Sequence, residues 1–307
     1  MTYETLPRRI LGPDPGLYRP SAHGLIRVVG PEAVGFLQRL SSQDVAGLAP
    51  GHLAPAAFLD PKGKLLATCL AGVFADEVAL SVQQGRVGEL AELLDRFHFT
   101  EKLEVQPADE LVCAEVLSVD PLPEPAGAVA RIDGGGVRLS TVRHGLHRVR
   151  HHAPAELLDF PADLPVLDHR VVEALRIATA VPLVGVDTES NTLAMEAPLG
   201  DHISTTKGCY TGQEIVARIL TYGHTNRALR VLEIDGRGGI EPGTALVDNE
   251  SGGPVGRVMS SAPIAEENCR VAFGFVPREL SAVGTELALG AVEGEHVRVV
   301  GPVGDGS

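Results

Sequence analysis

An α+β body followed by a small C-terminal β-barrel is the fold class that the sequence predicts, and three observations predict it. Short apolar strands alternate with strongly periodic helical stretches as far as about residue 225. Beyond Gly223-His224-Thr225-Asn226-Arg227 the texture changes to short strands cut by Gly and Pro turns. An apolar content of 44% over 307 residues is enough to fill two cores. The expected domains are therefore 1–225 for the body and 226–307 for the barrel.

Leu25 to Val29 reads as a strand, and Gly30-Pro31-Glu32 opens a helix over Ala33 to Leu40, with Pro31 suited to a first turn. Ser41-Ser42-Gln43-Asp44 closes that unit. Ala56 to Leu59 and Leu65 to Val73 are expected as strands joined by the Asp60-Pro61-Lys62-Gly63 turn, with Val78 to Val82 as a third in a meander. Gly88 to Phe97 carries leucines at 90, 93 and 94, the spacing of one helical face, and should cover that sheet. Strands are expected again around Leu111 to Leu117 and Val137 to Val149, and helical period returns from Val166 to Ala180 before Pro182 stops it. The barrel strands are expected at Ala228–Ile234, Ala245–Val247, Gly256–Ser260, Val271–Val276 and Glu286–Leu289, with Gly304 to Ser307 as a frayed tail.

Composition narrows the function classes. No apolar run approaches the roughly 18 residues that a membrane span needs, and Met1 to Arg9 lacks the apolar segment of a signal peptide, so a soluble cytoplasmic protein is expected. Cys69, Cys113, Cys209 and Cys269 are too scattered for a CxxC element, which argues against a resident metal built from cysteines. The net charge of −14 opposes a phosphate backbone. One basic run, Arg143 to His152, is a candidate transfer-RNA surface or, more plainly, a solvated strand.

The chemistry concentrates in Lys207-Gly208-Cys209-Tyr210-Thr211-Gly212-Gln213-Glu214. Thr211 and Glu214 have capping-box spacing, with Ile215 to Leu220 continuing as an apolar helix. Cys209 then precedes a helix N-terminus, whose unpaired amides favour a thiolate, and Lys207 adds a full charge. Gly208 and Gly212 allow either close approach of another molecule or unusual backbone angles. Tyr210 is open between packing and stacking on an aromatic ligand, and Gln213 between a ligand contact and a solvent-facing first turn.

This signature, continued by Ile215-Val216-Ala217-Arg218, resembles that of the YgfZ family of folate-binding proteins. Phe36-Leu37-Gln38 through Ser42-Gln43-Asp44, then Leu59-Asp60-Pro61-Lys62-Gly63-Lys64, and downstream Gly256 to Ser261 resemble family segments in the same order. The resemblance implies a body like the T-protein of the glycine cleavage system, with tetrahydrofolate as cofactor and a C-terminal barrel. It also implies a role in making or repairing iron-sulfur clusters for enzymes that include transfer-RNA modifiers, with iron-sulfur assembly or client proteins as partners. Cys209 and Lys207 would carry the chemistry, with Arg176, Glu196, Gly208, Tyr210, Gly212 and Gln213 around the folate. The chain departs from relatives at two places. Ala67-Thr68 stands where aminomethyltransferases have an acidic pair, which argues against the alternative of folate-dependent one-carbon transfer. Arg176-Ile177-Ala178 has no glutamate at its third position to accept paired hydrogen bonds from a pterin.

Overall fold

In the computed structural model, which describes residues 3–265 and 267–302, the chain forms mixed helices and strands in two compact units, each assembled from separated stretches. The expected tail at Gly304 to Ser307 lies outside the described residues. In chain order the elements are α1 (Leu6–Leu11), β1 (Gly16–Tyr18), β2 (His23–Val29), α2 (Ala33–Leu40), β3 (Leu53–Leu59), β4 (Leu65–Val73), β5 (Glu77–Gln83), α3 (Val87–Phe97), β6 (Glu104–Pro107), β7 (Val112–Ser118), β8 (Val129–Arg131), β9 (Val137–Arg143), β10 (Leu146–Ala153), α4 (His169–Ala178) and α5 (Gln213–Tyr222). The barrel strands follow as β11 (Arg227–Asp235), β12 (Ala245–Asp248), β13 (Pro254–Pro263), β14 (Cys269–Pro277), β15 (Glu286–Leu289) and β16 (His296–Gly301). None of the described helices is long and apolar enough to cross a membrane.

One unit comprises residues 15–166 and 201–215 and holds two five-stranded antiparallel sheets, ordered β3-β4-β5-β2-β6 and β1-β7-β10-β9-β8. Its main core joins Phe36 and Leu37 of α2 and Leu90 and Leu94 of α3 to Ile26, Val28, Phe58, Leu80 and Val82 of the first sheet. The helical periodicity read in the sequence is therefore the face that covers this sheet. The run from Val137 to Val149 is a hairpin, not one strand. His144 and Gly145 have φ of 46° and 77°, the two left-handed positions that a two-residue turn of this kind requires, and Arg143 pairs Leu146 across it.

That hairpin also accounts for the basic run. Arg148 and Arg150 of β10 reach the buried carboxylate of Glu115 on β7 at 3.1 and 3.2 Å, and Arg150 also donates to Ser81 Oγ at 2.9 Å. His152 is fully buried and hydrogen-bonded to Ser81 at 2.8 Å, while Arg143 pairs with Asp201. Arg148, Arg150 and His152 belong to an interior network, which corrects the picture of a solvated basic strand for them, whereas the Arg143–Asp201 pair lies at the surface. The two arginines hold Glu115 well below the usual carboxylate range against the opposing effect of burial. Burial, reinforced by Arg150, pushes His23 down to about 4 even though Glu115 lies 3.1 Å away.

The other unit comprises 1–14, 167–200 and 216–307. Its barrel is closed in the order β11-β14-β13-β12-β15-β16, and Leu232, Ile234, Leu246, Val258, Leu287, Val297 and Val299 fill it. The closing strand β16, which pairs with both β11 and β15, is absent from the strands read in the sequence, although Val297-Arg298-Val299 alternates as a strand should. Helix α4 starts where Asp168 accepts a hydrogen bond from the Arg170 amide at 2.7 Å, an N-cap that places its start later than Val166. Arg9 of α1 is bound by Glu233 and Glu267 of the barrel strand region.

The buried His23 beside Glu115 and Arg150 carries a measurable consequence in acid. His23 has an ordinary pKa of 6.5 unfolded and about 4 folded, so the neutral ring is the form that folding favours. The associated stability is fully present above pH 6.5 and is lost as pH falls from there through about 4, on the order of 3 kcal/mol by linkage. Urea midpoints measured from pH 7 to pH 4 should fall over that window, and His23→Gln should flatten the fall.

Candidate functional site

Three of the four stretches that carry the family resemblance, around 36–44, 59–64 and 207–214, meet in the unit built from 15–166 and 201–215. Helix α2 ends at Leu40 and leaves carbonyls without helical partners, as any helix C-terminus does. The chain then runs through Ser41, Ser42 and Gln43, and the segment from Asp201 lies alongside it. Ser204 N donates to Ser42 O at 2.9 Å, Ser42 Oγ to His202 O at 2.7 Å, and Gln43 Nε2 to Asp201 O at 2.8 Å.

Lys207 completes this arrangement. Its Nζ donates to Gln38 O and Ser41 O, each at 2.7 Å, and to Gln43 O at 2.8 Å, so each ammonium hydrogen has an acceptor. The same nitrogen lies 5.1 Å from the centre of the Tyr210 ring, and both side chains are buried. Burial lowers the Lys207 pKa to about 8, with Asp44 opposing the shift. The charge expected to assist Cys209 is thus engaged at the end of α2.

On the far side of Cys209 the loop is fixed by Gly212. Its φ is +84°, and a Cβ there would lie 2.6 Å from Asp60 O, 3.1 Å from Leu59 Cβ and 3.3 Å from Gly63 Cα. The Asp60–Lys64 turn that it meets is itself tight, with Asp60 Oδ1 accepting from the amides of Lys62 at 2.8 Å and Lys64 at 2.9 Å. Gly63 has φ of +74° and in turn sits against Ile215, where a Cβ would be 3.0 Å from that side chain. Helix α5 begins at Gln213, so Gly212 and not Thr211 occupies the residue before the first helical position, one residue later than capping-box spacing implied. The Gln213 amide donates to Tyr210 O at 3.2 Å.

Gly208 differs from Gly212. Its φ lies outside the left-handed region, and a Cβ built on it would meet nothing within 4 Å. The fold itself makes no demand for glycine at 208. Next to it Cys209 is exposed, whereas Cys69, Cys113 and Cys269 are buried. Burial pushes each of those three thiols up to about 12, leaving them protonated and inaccessible.

Arg176 and Glu196 belong to the barrel-containing unit, and both are held in ion pairs there. Arg176 donates to Asp187 at 2.6 Å, to Glu173 at 2.6 Å and to Val181 O at 2.7 Å. Glu196 accepts from Arg227 at 3.1 Å and from the Leu193 amide at 3.1 Å. Ala178 is fully buried and Ala67 lies inside β4, so neither position supplies a carboxylate. Arg176 and Glu196 are thus both engaged by partners of their own unit. Among the described residues no three His, Cys, Asp or Glu side chains are grouped to hold a metal ion.

Sequence reasoning found the thiol and its loop. It missed the acceptors of Lys207 and the turn that receives Gly212. A signal for them existed, since these stretches were among those that carried the family likeness.

No family model matches the chain. The human mitochondrial iron-sulfur cluster assembly factor IBA57 is 31% identical over 275 residues, covering 78% of this chain and 73% of that protein. The tRNA-modifying protein YgfZ of Sodalis glossinidius is 27% identical over 252 residues, covering 70% and 74% respectively. Among solved structures, the glycine cleavage system aminomethyltransferase T from Bartonella henselae superposes with a TM-score of 0.83 over 97% of this chain and 88% of that one, at 20% identity. A likeness of that kind, with so few residues in common, speaks for the fold alone. The sequence relatives and the shared fold together make the chain a member of the YgfZ family, built on a T-protein-like fold.

Proposed function

We propose that this protein is an accessory factor in iron-sulfur cluster assembly or repair, supporting iron-sulfur enzymes that include tRNA-modifying ones, with Cys209 as its working thiol. The observation that carries the reading is that Cys209 alone of the four cysteines is exposed, on a loop fixed at Lys207 and at Gly212. The names borne by the human and Sodalis relatives, a cluster assembly factor and a tRNA-modifying protein, support the process. A single thiolate does not hold a cluster, which takes four ligands in its common forms. The cluster is accordingly cargo, contacted by Cys209 while the client or donor protein supplies the other ligands.

Aminomethyl transfer is not part of this reading, because Ala67 and Thr68 offer no acid or base. Tetrahydrofolate remains the ligand implied by the family resemblance. Arg176 and Glu196, the residues that the resemblance places around it, are each ion-paired within their own unit.

Native protein should show a single fast-reacting thiol toward an aromatic disulfide reagent, and Cys209→Ser should abolish it. In a strain lacking the endogenous gene, Cys209→Ala should fail to restore iron-sulfur enzyme activity. Full rescue by that variant would remove the thiol from the function.

The two glycines of the signature separate structure from contact. Gly212→Ala should destabilise the fold by about 1–3 kcal/mol, the usual cost of a left-handed non-glycine residue, seen as a lower urea midpoint. Gly208→Ala should leave that midpoint unchanged yet reduce rescue, if the bare backbone beside Cys209 serves the approach of a client. Equal rescue by Gly208→Ala and the native protein would refute that role.

A further inference from the structure

We infer that Lys207 is a positioning residue: its ammonium fastens the Cys209 loop to the end of α2, and it takes no part in the chemistry of the thiol. This deepens the function proposed above and rests on Cys209 being its working group. The geometry leaves Lys207 little else to do. All three of its hydrogens point at carbonyls, those of Gln38, Ser41 and Gln43, at 2.7, 2.7 and 2.8 Å. The ring of Tyr210, one residue beyond the thiol, lies over the same nitrogen at 5.1 Å.

A nucleophilic or proton-transferring lysine needs a free lone pair or an open path to its reactant, and this one has neither. What the contacts do provide is a fixed origin for the loop. One residue, Gly208, separates Lys207 from Cys209, and three residues beyond the thiol the backbone of Gly212 is wedged against Asp60 O. A loop tied so closely on both sides of the thiol has few ways to redirect it. Ordering of this kind is the work of groups that support a reactive residue without touching its substrate.

The test reads the loop and not the function. Methanethiosulfonate nitroxide reacts with the exposed thiol, so native protein is labelled at Cys209 without mutation, and its electron paramagnetic resonance spectrum reports local motion. The native spectrum should contain a slow component. Lys207→Met should lose it, while far-UV circular dichroism and the urea midpoint show a folded protein. Lys207→Arg, which retains a charged donor group, should recover part of the slow component. Should Lys207→Met fail to fold, Lys207→Gln serves in its place, since one amide cannot meet three carbonyls.

A slow component unchanged in the folded Met or Gln variant overturns the inference. The same variants are then assayed for rescue of iron-sulfur enzymes. Loss of rescue with a mobilised yet still reactive thiol supports positioning. Mobilisation of the label together with full rescue by Cys209→Ala leaves the brace intact and removes the function proposed for the thiol. Full rescue by a mobilised Lys207→Met, with Cys209→Ala inactive, would show that the thiol works without its brace and would overturn the positioning role.

Discussion

A buried ammonium is tolerable only where its hydrogens find acceptors, and in this protein that requirement binds two distant parts of the sequence together. Lys207 meets carbonyls about 165 residues earlier in the chain, at and just beyond a helix end, where the last carbonyls lack helical partners. Removing one partner of a buried hydrogen bond costs roughly 1–3 kcal/mol, and more where a charge is involved. The contact therefore constrains both sides. Helix α2 is ended by a cation where its dipole is negative, and the loop bearing the exposed thiol has a fixed base. Around it the hydrogen bonds of Ser42, Gln43 and Ser204 line up the same two segments.

Elsewhere the chain handles buried charge in the same way, by surrounding it. Glu115 is enclosed by Arg148, Arg150 and His23, Arg176 by Asp187 and Glu173, and Glu77 by Arg27 and Arg131. Such groups are strongly destabilising when one partner is lost, and for that reason they fix which strand lies beside which. They also explain why a strongly charged run is a poor guide to a binding surface. Arg143 to His152 looks like a patch in one dimension. On alternate faces of β10, however, its members turn toward different partners, and the sheet places one of those faces inside.

How legible all this was depended on the range of the interaction. The apolar helices and most strands could be read because their period is local, and α2 and α3 bury the faces their spacing marks. The hairpin at His144-Gly145 was hidden because its turn depends on a histidine at positive φ, an uncommon choice, and β16 was missed because its short alternation sits behind a run of glycines and acids. At the site, Cys209 and its neighbours were evident from residue types alone. The engagement of Lys207 was not, since nothing near it in sequence reveals that its acceptors are backbone atoms of residues 38 to 43. Nor could spacing distinguish the two glycines: both flank the same loop, and only the packing of Gly212 on Asp60 separates a steric requirement from an open approach.

The barrel-containing unit draws on both early and late parts of the chain, and this sets an order for biosynthesis. Arg9 finds Glu233 and Glu267 more than 220 residues later, and β11 has no second neighbour until β16 emerges. The unit made from 15–166 and 201–215 is complete well before then. A ribosome releasing this protein thus presents a finished thiol-bearing unit attached to an open sheet edge, with a short N-terminal helix still waiting for its counterpart. The interval between those two events is when the chain is most open to mispairing, and a chaperone would have most to do there.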